Sequence, residues 1–497
     1  MRILPPLLLA GTALAFGACG AAGTEATPGD ERAAATFERN CLSCHDAAMA
    51  THIPKSRADW QATVERMMGL GAQVPKEDVP VIVDYLSRHY GLAQSTLGKP
   101  PVEPLVGLQL VRGKPVETRP PELAGNTPAF EGQTRAPYRR TVAIKTQVIA
   151  KGLDNPWALA FLPDGRFLVT EKPGALRIVA KDGTISPPIA GVPPVFYKSQ
   201  VGLLDVALPA DFAKSGRIFF SYMEPQPGSE TMTIAIARAR IDLAAHALAD
   251  IKVIFRADPP ITVQRAGNAG GRIAIAADGT LYAAIGDRVP PLSAGWNKAQ
   301  DLNTTLGKII HITVDGHPAP GNPYIGHIGA KPEIWTLGHR SIQGLTFDAN
   351  GNLWEHEHGP RGGDELNLIR RGLNYGWPVI ARGVEYRGDL INGGRTEQEG
   401  MEQPRYYWDP VIAPSGMAFY SGAEFPEWRG DVLIGALRGA RLTRLTLSKD
   451  GKVVDEEPLL TNLGKRIRDV RVGPDSAVYI LTDEASASLI RISRRER

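Results

Sequence analysis

The chain has 497 residues, 43% of them hydrophobic and 22% charged, and a formal net charge of +3. This length exceeds one ordinary domain and sets an expectation of two or three, while so balanced a charge removes the electrostatic case for a nucleic-acid partner. Its 53 glycines and 40 prolines fall at turn-like positions between short apolar runs, which favours an all-β body.

At the N-terminus, Arg2 precedes an apolar run from Ile3 to Phe16, and small residues follow. This is the pattern of a secretory signal peptide over 1–19, too short to span a membrane as a helix. Cys19 follows Gly17-Ala18 and resembles the processing site of a bacterial lipoprotein, with Phe16 where leucine is usual. Cleavage nearby without lipid is the alternative. Lipid on Cys19 would anchor the chain rather than span it, giving a periplasmic protein tied to the outer membrane. No other stretch reads as a membrane span. The 3 cysteines are Cys19, Cys41 and Cys44. With the first lipidated or removed and the other two engaged as described next, none remains for a disulfide.

Residues 41–45 read CLSCH, the C-x-x-C-H attachment signature of a c-type haem. A helix-compatible stretch leads into Cys41. A second follows a cap near Ser56, and a third places Val79, Ile82, Val83 and Leu86 on one face and ends at Gly91. Residues 34–93 thus resemble a small all-α c-type cytochrome. Cys41 and Cys44 would form the thioethers and His45 would supply one axial nitrogen to the iron. The family pattern W-x-x-x-V-x-R-M matches Trp60 to Met67, which makes Met67 the second axial ligand. Met68 reads as core filler and Met49 as a poorer ligand. Residues 94–140 are rich in proline and lack periodicity. They form either an extended connector or a segment draped over the next domain.

From about residue 141 a pattern of apolar strand, turn and apolar strand recurs. It appears in ALAFLPDGRFLVTE from Ala158, then from Gly202, Arg272, Gly344, Gly416 and Arg468. Each unit reads as a β-hairpin. One hairpin cannot bury its own face, so six recurrences predict a six-bladed β-propeller over 141–497. A pair of β-sandwiches would not produce six similar hairpins.

Several stretches are more specific than turns: SQVGLLDV (199–206), AQDLNTTLGK (299–308), EHEHGPRGGDELNL (355–368), GLNYGWP (372–378), VIAPSGMAFY (411–420), GALRGARL (435–442) and GKRIRDVRVGPD (464–475). In this order they resemble the soluble sugar dehydrogenases that depend on pyrroloquinoline quinone (PQQ), in particular the aldose sugar dehydrogenases. The resemblance implies a six-bladed propeller holding PQQ and calcium in a central cleft and oxidising the anomeric carbon of an aldose to a lactone. It implies a cofactor contact from Gln200, an arginine at the quinone in Arg288, and Arg466 and Arg468 facing its carboxylates, where guanidinium pairs in bidentate fashion. It also implies an aromatic flank at Trp408 and a cofactor contact at Arg438. The calcium would lean on the turn 315–320, through Gly316 and Pro318. The His356–His358 pair lies in a shared motif and reads as structural rather than metal-binding.

Two departures stand out. Arg438 replaces a lysine, keeping charge but not geometry. Asn268, in RAGNAGGR, stands where the family has its proton-accepting histidine, and an amide cannot act as a general base. Either another group serves as base, with His339, His358 and Asp287 as the options, or the substrate differs, for instance a hydrated aldehyde, or the propeller binds without turnover. The expectation is a quinohaemoprotein that oxidises a sugar and passes electrons through its own haem to a periplasmic or membrane acceptor. Its rivals are a sugar- or quinone-binding sensor and a calcium-dependent propeller lactonase.

Overall fold

The computed structural model describes residues 28–41, 56–69, 74–91, 110–263, 266–288, 298–386 and 388–495. Among the described residues three helices come first: α1 (Pro28–Cys41), α2 (Arg57–Gly69) and α3 (Asp78–His89). Ser56 caps α2, its Oγ accepting from Asp59 N at 3.2 Å and donating to the Asp59 carboxylate at 2.6 Å. Val79, Ile82, Val83 and Leu86 are buried on one face of α3, as their spacing predicts. They meet Phe37, Trp60 and Val64 in a separate small core, with Met68 packed against it. Met67 is half-buried on the same helix. Cys41 is the last residue of α1, while Cys19, Cys44 and His45 lie outside the described residues.

Residues 110–140 are draped rather than extended away. Asp409 accepts bonds from Glu122 N (2.8 Å), Leu123 N (3.3 Å) and Asn126 Nδ2 (3.1 Å). Gln133 is fully buried, donating to Pro404 O at 2.9 Å. Glu122 pairs with Arg361 at 2.7 Å. Of the two expectations for 94–140, the described part follows the second.

The body is a six-bladed propeller. A leading strand, β1 (Ile144–Leu153), precedes it. Blade I holds β2 (Pro156–Phe161), β3 (Phe167–Glu171) and β4 (Ala175–Val179). Blade II holds β5 (Leu203–Ala207), β6 (Arg217–Pro225), β7 (Thr231–Asp242) and β8 (Ala247–Arg256). Blade III holds β9 (Gly270–Ile275), β10 (Leu281–Ile285), β11 (Lys308–Ile312) and β12 (Ile334–Leu337). Blade IV holds β13 (Ile342–Phe347), β14 (Leu353–Glu357), β15 (Asp364–Ile369) and β16 (Tyr406–Trp408). Blade V holds β17 (Pro414–Phe419), β18 (Val432–Ala436), β19 (Arg441–Leu447) and β20 (Val453–Leu459). Blade VI holds β21 (Ile467–Val472), β22 (Val478–Thr482) and β23 (Ala487–Arg494), and β1 completes it by pairing with β23. The six hairpins expected from the repeat are the two inner strands of each blade.

The first strand of each blade packs on its neighbours around one axis. Each also carries a break in register near its start: after Pro156, Leu203, Gly270, Ile342, Pro414 and Ile467. A bulge there turns the entering chain toward the axis and re-aims its side chains. Hydroxyls complete two of these bulges. Thr170 Oγ1 accepts from Ala158 N at 3.0 Å and donates to Leu204 O in the next blade at 2.5 Å. Ser221 Oγ does the same between Asp205 N (3.1 Å) and Gly271 O (2.5 Å).

Further along these strands the axis is filled by charge. Arg272 lies 3.3 Å from Asp205 and 3.0 Å from Asp469, and Arg471 reaches the same two carboxylates at 3.1 and 3.0 Å. Arg272 also donates to Gln343 O at 2.7 Å and lies over the Trp157 ring at 4.0 Å. Removing one member strands a buried opposite charge, so Arg272→Met should cost about 3–5 kcal/mol, measured as the loss in unfolding free energy by urea titration.

Candidate active site

The residues that open the six inner strands meet at one end of the axis. In blade II, Ser199 (φ 54°) and the exposed Gln200 precede β5. In blade III, Asn268 precedes β9 with φ 44°, a left-handed conformation in which asparagine and histidine are enriched and β-branched residues are not. Gly286 beside it is required, since a Cβ there would sit 1.9 Å from Asn268 O.

Asn268 is buried and doubly tied. Its N donates to Gln200 Oε1 at 3.1 Å, and its Nδ2 donates to Asp287 Oδ1 at 3.0 Å. The other Asp287 oxygen accepts from Trp377 Nε1 at 2.8 Å. Arg340 stacks over the Trp377 ring at 5.3 Å and donates to His358 O at 2.9 Å and to the Tyr386 hydroxyl at 3.2 Å. His358 bonds through Nε2 to Pro414 O at 2.6 Å. Burial, joined by the cations of Arg340, Arg468 and Arg466, pushes its pKa down to about 3.

Across the mouth, Arg466 and Arg468 donate to the two oxygens of Asp483 at 2.9 and 3.0 Å. Lys172 stands 3.8 Å from the same carboxylate and donates to Ser199 O at 3.3 Å. Three cations therefore share one anion. Their excess positive charge, at the rim and partly exposed at Arg466, suits an anionic ligand.

The structure thus brings Gln200, Asn268, Arg466 and Arg468 to one mouth, together with Asp287 and His358. Arg288 follows Asp287 and is buried, its guanidinium lowered to about 9 by burial, with Asp287 opposing the shift. Arg438 is exposed in the turn after β18 and lies in the field of Arg119 and Glu122 from the draped segment. Trp408 does not flank the mouth. It packs inside the blade against Tyr406, Ile412 and Met417, with the Tyr406 ring edge-on at 5.0 Å.

The turn 315–320 is a further correction. Lys308 pairs with Ile285 and Ile312 with Leu281, so the turn after β11 leaves the blade at the end remote from Asn268. There Pro318 bridges Ile312, Asp315 pairs with Arg238, and Gly316 packs on Ile254 O. Gly316 and Pro318 cannot serve a cation at the mouth. His339, one of the three alternative bases, is fully buried behind the strands, where burial and then the Lys308 ammonium lower its pKa to about 3. His356 is likewise buried.

Sequence reasoning passed over Lys172, Arg340, Trp377 and Asp483. A usable signal was present: Arg340 occupies the place in the fourth hairpin that Gln200 and Asn268 occupy in the second and third, just ahead of the inner strand. EHEHGPRGGDELNL is explained by Asp364, which accepts from Gly359 N (3.0 Å), Ile412 N (2.7 Å) and Ala413 N (2.7 Å) and so binds the loop to the start of blade V.

Residues 153–491 match the family model described as Glucose / Sorbosone dehydrogenase. The chain belongs to that family. It is 40% identical over 355 residues to the aldose sugar dehydrogenase YliI of Escherichia coli, covering 71% of this chain and 93% of that one. A solved glucose dehydrogenase structure superposes with a TM-score of 0.66 at 44% identity, over 70% of this chain and 99% of the other. The PQQ-bound aldose sugar dehydrogenase of Streptomyces coelicolor superposes with a TM-score of 0.57 at 28% identity, over 71% and 100%. The three helices and the draped segment lie outside the residues the family model matches.

Asp483 gives this site a pH signature. Burial alone would raise its pKa, but Arg468, Lys172 and Arg466 hold it well below the usual carboxylate range. A depressed native value means fewer protons bound when folded. Its stabilisation is therefore complete above the unfolded value of about 3.9 and is lost as pH falls toward the native one. Thermal melts of wild type and Asp483→Asn should differ most above about pH 4 and converge in stronger acid.

Proposed function

We propose that this protein oxidises the anomeric carbon of an aldose using PQQ and passes the electrons to a haem c carried on its own N-terminal residues. The observation that carries this reading is the junction of Gln200, Asn268 and Asp287 with the cations Arg466, Arg468 and Lys172, in a family with a PQQ-bound relative.

The donor set fits the cofactor. Three cations around one carboxylate leave positive charge to spare for a tricarboxylate. Arg466, Arg468 and Lys172 would hold those carboxylates and Gln200 would contact the ring system. PQQ, when bound, supplies a two-electron acceptor for hydride. Asn268 orients the sugar hydroxyl beside Asp287, which takes the hydroxyl proton directly, since the amide cannot relay it. Asp287 is favoured over His358, whose Nε2 is committed to Pro414 O and whose basicity is depressed by burial and then by surrounding cations, and over His339, which is buried away from the mouth. The turn 315–320 offers calcium no place here, so no step depends on it. Cys41, Cys44, His45 and Met67 would hold the haem, which would supply a one-electron relay toward a periplasmic or membrane acceptor. Lipid at Cys19 would keep the protein at the outer membrane.

The test is full-length protein reconstituted with PQQ and calcium, given a panel of aldoses, with haem absorbance as the readout. Haem should be reduced only when PQQ and an aldose are both present. PQQ binding without reduction by any aldose or aldehyde would instead establish a binding or sensing propeller, the outcome that the loss of histidine at 268 favours. Turnover of a lactone with calcium alone would establish a lactonase.

Asp287→Asn should lower kcat by about 100-fold or more, and Asn268→His should raise it by about tenfold. Wild-type kcat in Asp287→Asn would exclude Asp287 as the base.

A further inference from the structure

Behind the mouth, three side chains converge that the proposed reaction does not use. His339 Nδ1 lies 3.6 Å from Glu355 Oε1 and 3.8 Å from Glu357 Oε2, and one ligand atom from each residue falls within 4.8 Å of the others. These separations are too long for hydrogen bonds. They suit ligands of one small ion, since two atoms each about 2.1 Å from a tetrahedral centre stand about 3.4 Å apart.

His339 and Glu355 are completely buried and Glu357 nearly so. Among the described residues, His339 Nδ1 and Glu355 Oε2 have no hydrogen-bond partner. A buried imidazole nitrogen without a partner, beside a carboxylate whose second oxygen also lacks one, is a costly arrangement in a dry interior.

Every ligand is held from outside. Thr336 Oγ1 bonds His339 Nε2 at 2.9 Å, which leaves Nδ1 facing the carboxylates, and the Tyr375 ring stacks on the imidazole at 4.8 Å. Asn367 Nδ2 donates to Glu355 Oε1 at 2.8 Å, and Arg340 N donates to Glu357 Oε2 at 2.6 Å. Such outer partners fix the orientation of metal ligands. Among the described residues, no lysine or arginine forms an ion pair with Glu355 or Glu357. The Lys308 ammonium is directed at the carbonyls of Lys298 (2.8 Å), Ala299 (3.0 Å) and Leu306 (2.7 Å).

We infer that His339, Glu355 and Glu357 bind one divalent transition-metal ion, zinc or manganese, behind the candidate active site. The imidazole ligand selects against calcium, which takes oxygen ligands. The ion has a structural place. His339 precedes Arg340 and Glu357 precedes His358, so one ion would bind together the two backbones that present those side chains to the mouth. This inference is independent of the redox reading.

The test is elemental analysis of full-length protein produced with zinc and manganese in the medium, together with anomalous diffraction at the zinc and manganese edges. Wild type should retain about one equivalent of either metal through gel filtration, and Glu355→Gln and His339→Asn less than about a tenth, with the anomalous peak between the three side chains. Melting temperature should rise on adding zinc or manganese to stripped wild type and not move in Glu355→Gln. Wild type that retains neither metal, full retention in both variants, or a peak elsewhere would each overturn the site. Calcium as the sole stoichiometric ion would also overturn it.

Discussion

The propeller depends on the neutral ring of Asp205, Arg272, Asp469 and Arg471 at its axis. Six blades packed side by side bring six inner strands together where no strand can pair with the next, and polar groups there need partners from across the axis. The ring supplies them. Asp205 also accepts from Ile273 N at 2.9 Å and Asp469 from Leu159 N at 2.9 Å, while Arg272 reaches blade IV through Gln343 O. All six blades touch the same four side chains, blade V through Gly416, which packs against Asp469. With the axis fixed, the bulged starts of the strands above it are held in place as a set, and the residues they carry keep their mutual distances. Such preorganisation lets a site on loops act with the precision of one on rigid elements.

At the mouth, two groupings face one another. On one side, Asp287 holds Asn268 and Trp377 through its two oxygens, and Trp377 in turn carries Arg340. On the other, Asp483 gathers Arg466, Arg468 and Lys172. Each carboxylate organises its neighbours, but their bonded partners differ: Asp287 accepts from an amide and an indole, with Arg288 and Arg340 in its field, whereas Asp483 accepts from guanidinium groups at both oxygens. The first suits proton handling beside an uncharged hydroxyl and the second suits holding an anion. An asparagine at 268 fits the left-handed backbone, and a histidine would also be accepted there, so the fold leaves the choice between them to chemistry.

The inner hairpins were legible because alternation and turn residues are local signals, and each blade's first two strands carry both. The pairing of Ile144–Leu153 with the last strand was not legible, since nothing in either segment names a partner more than three hundred residues away. For the same reason Gln200 and Asn268 could be named separately but not joined. Trp408 packs in the blade core rather than at the mouth, a placement not legible because an aromatic within a motif does not reveal which face of its strand is inward. The turn that carries Gly316 and Pro318 falls at the end of the blade remote from the mouth, a placement that depends on counting strands and not on the turn's own residues. The draped segment was ambiguous because prolines leave a chain extended whether or not it has a surface to follow. Asp409 supplied that surface.

Closure by β1 and β23 has a consequence for the order in which the chain can be assembled. The contacts of the helical part span short separations, such as Arg39 to Asp78 and Trp60 to Tyr90, and local contacts form early. Blade VI needs Ile144–Leu153 and Ala487–Arg494 together, so a growing chain cannot complete the ring until Ala487–Arg494 has been made. Until then β1 waits as an unpaired edge, the kind of strand that pairs with the wrong partner. Its burial pattern is mostly exposed and its sequence carries Lys145 and Lys151, charges that discourage such pairing during the wait.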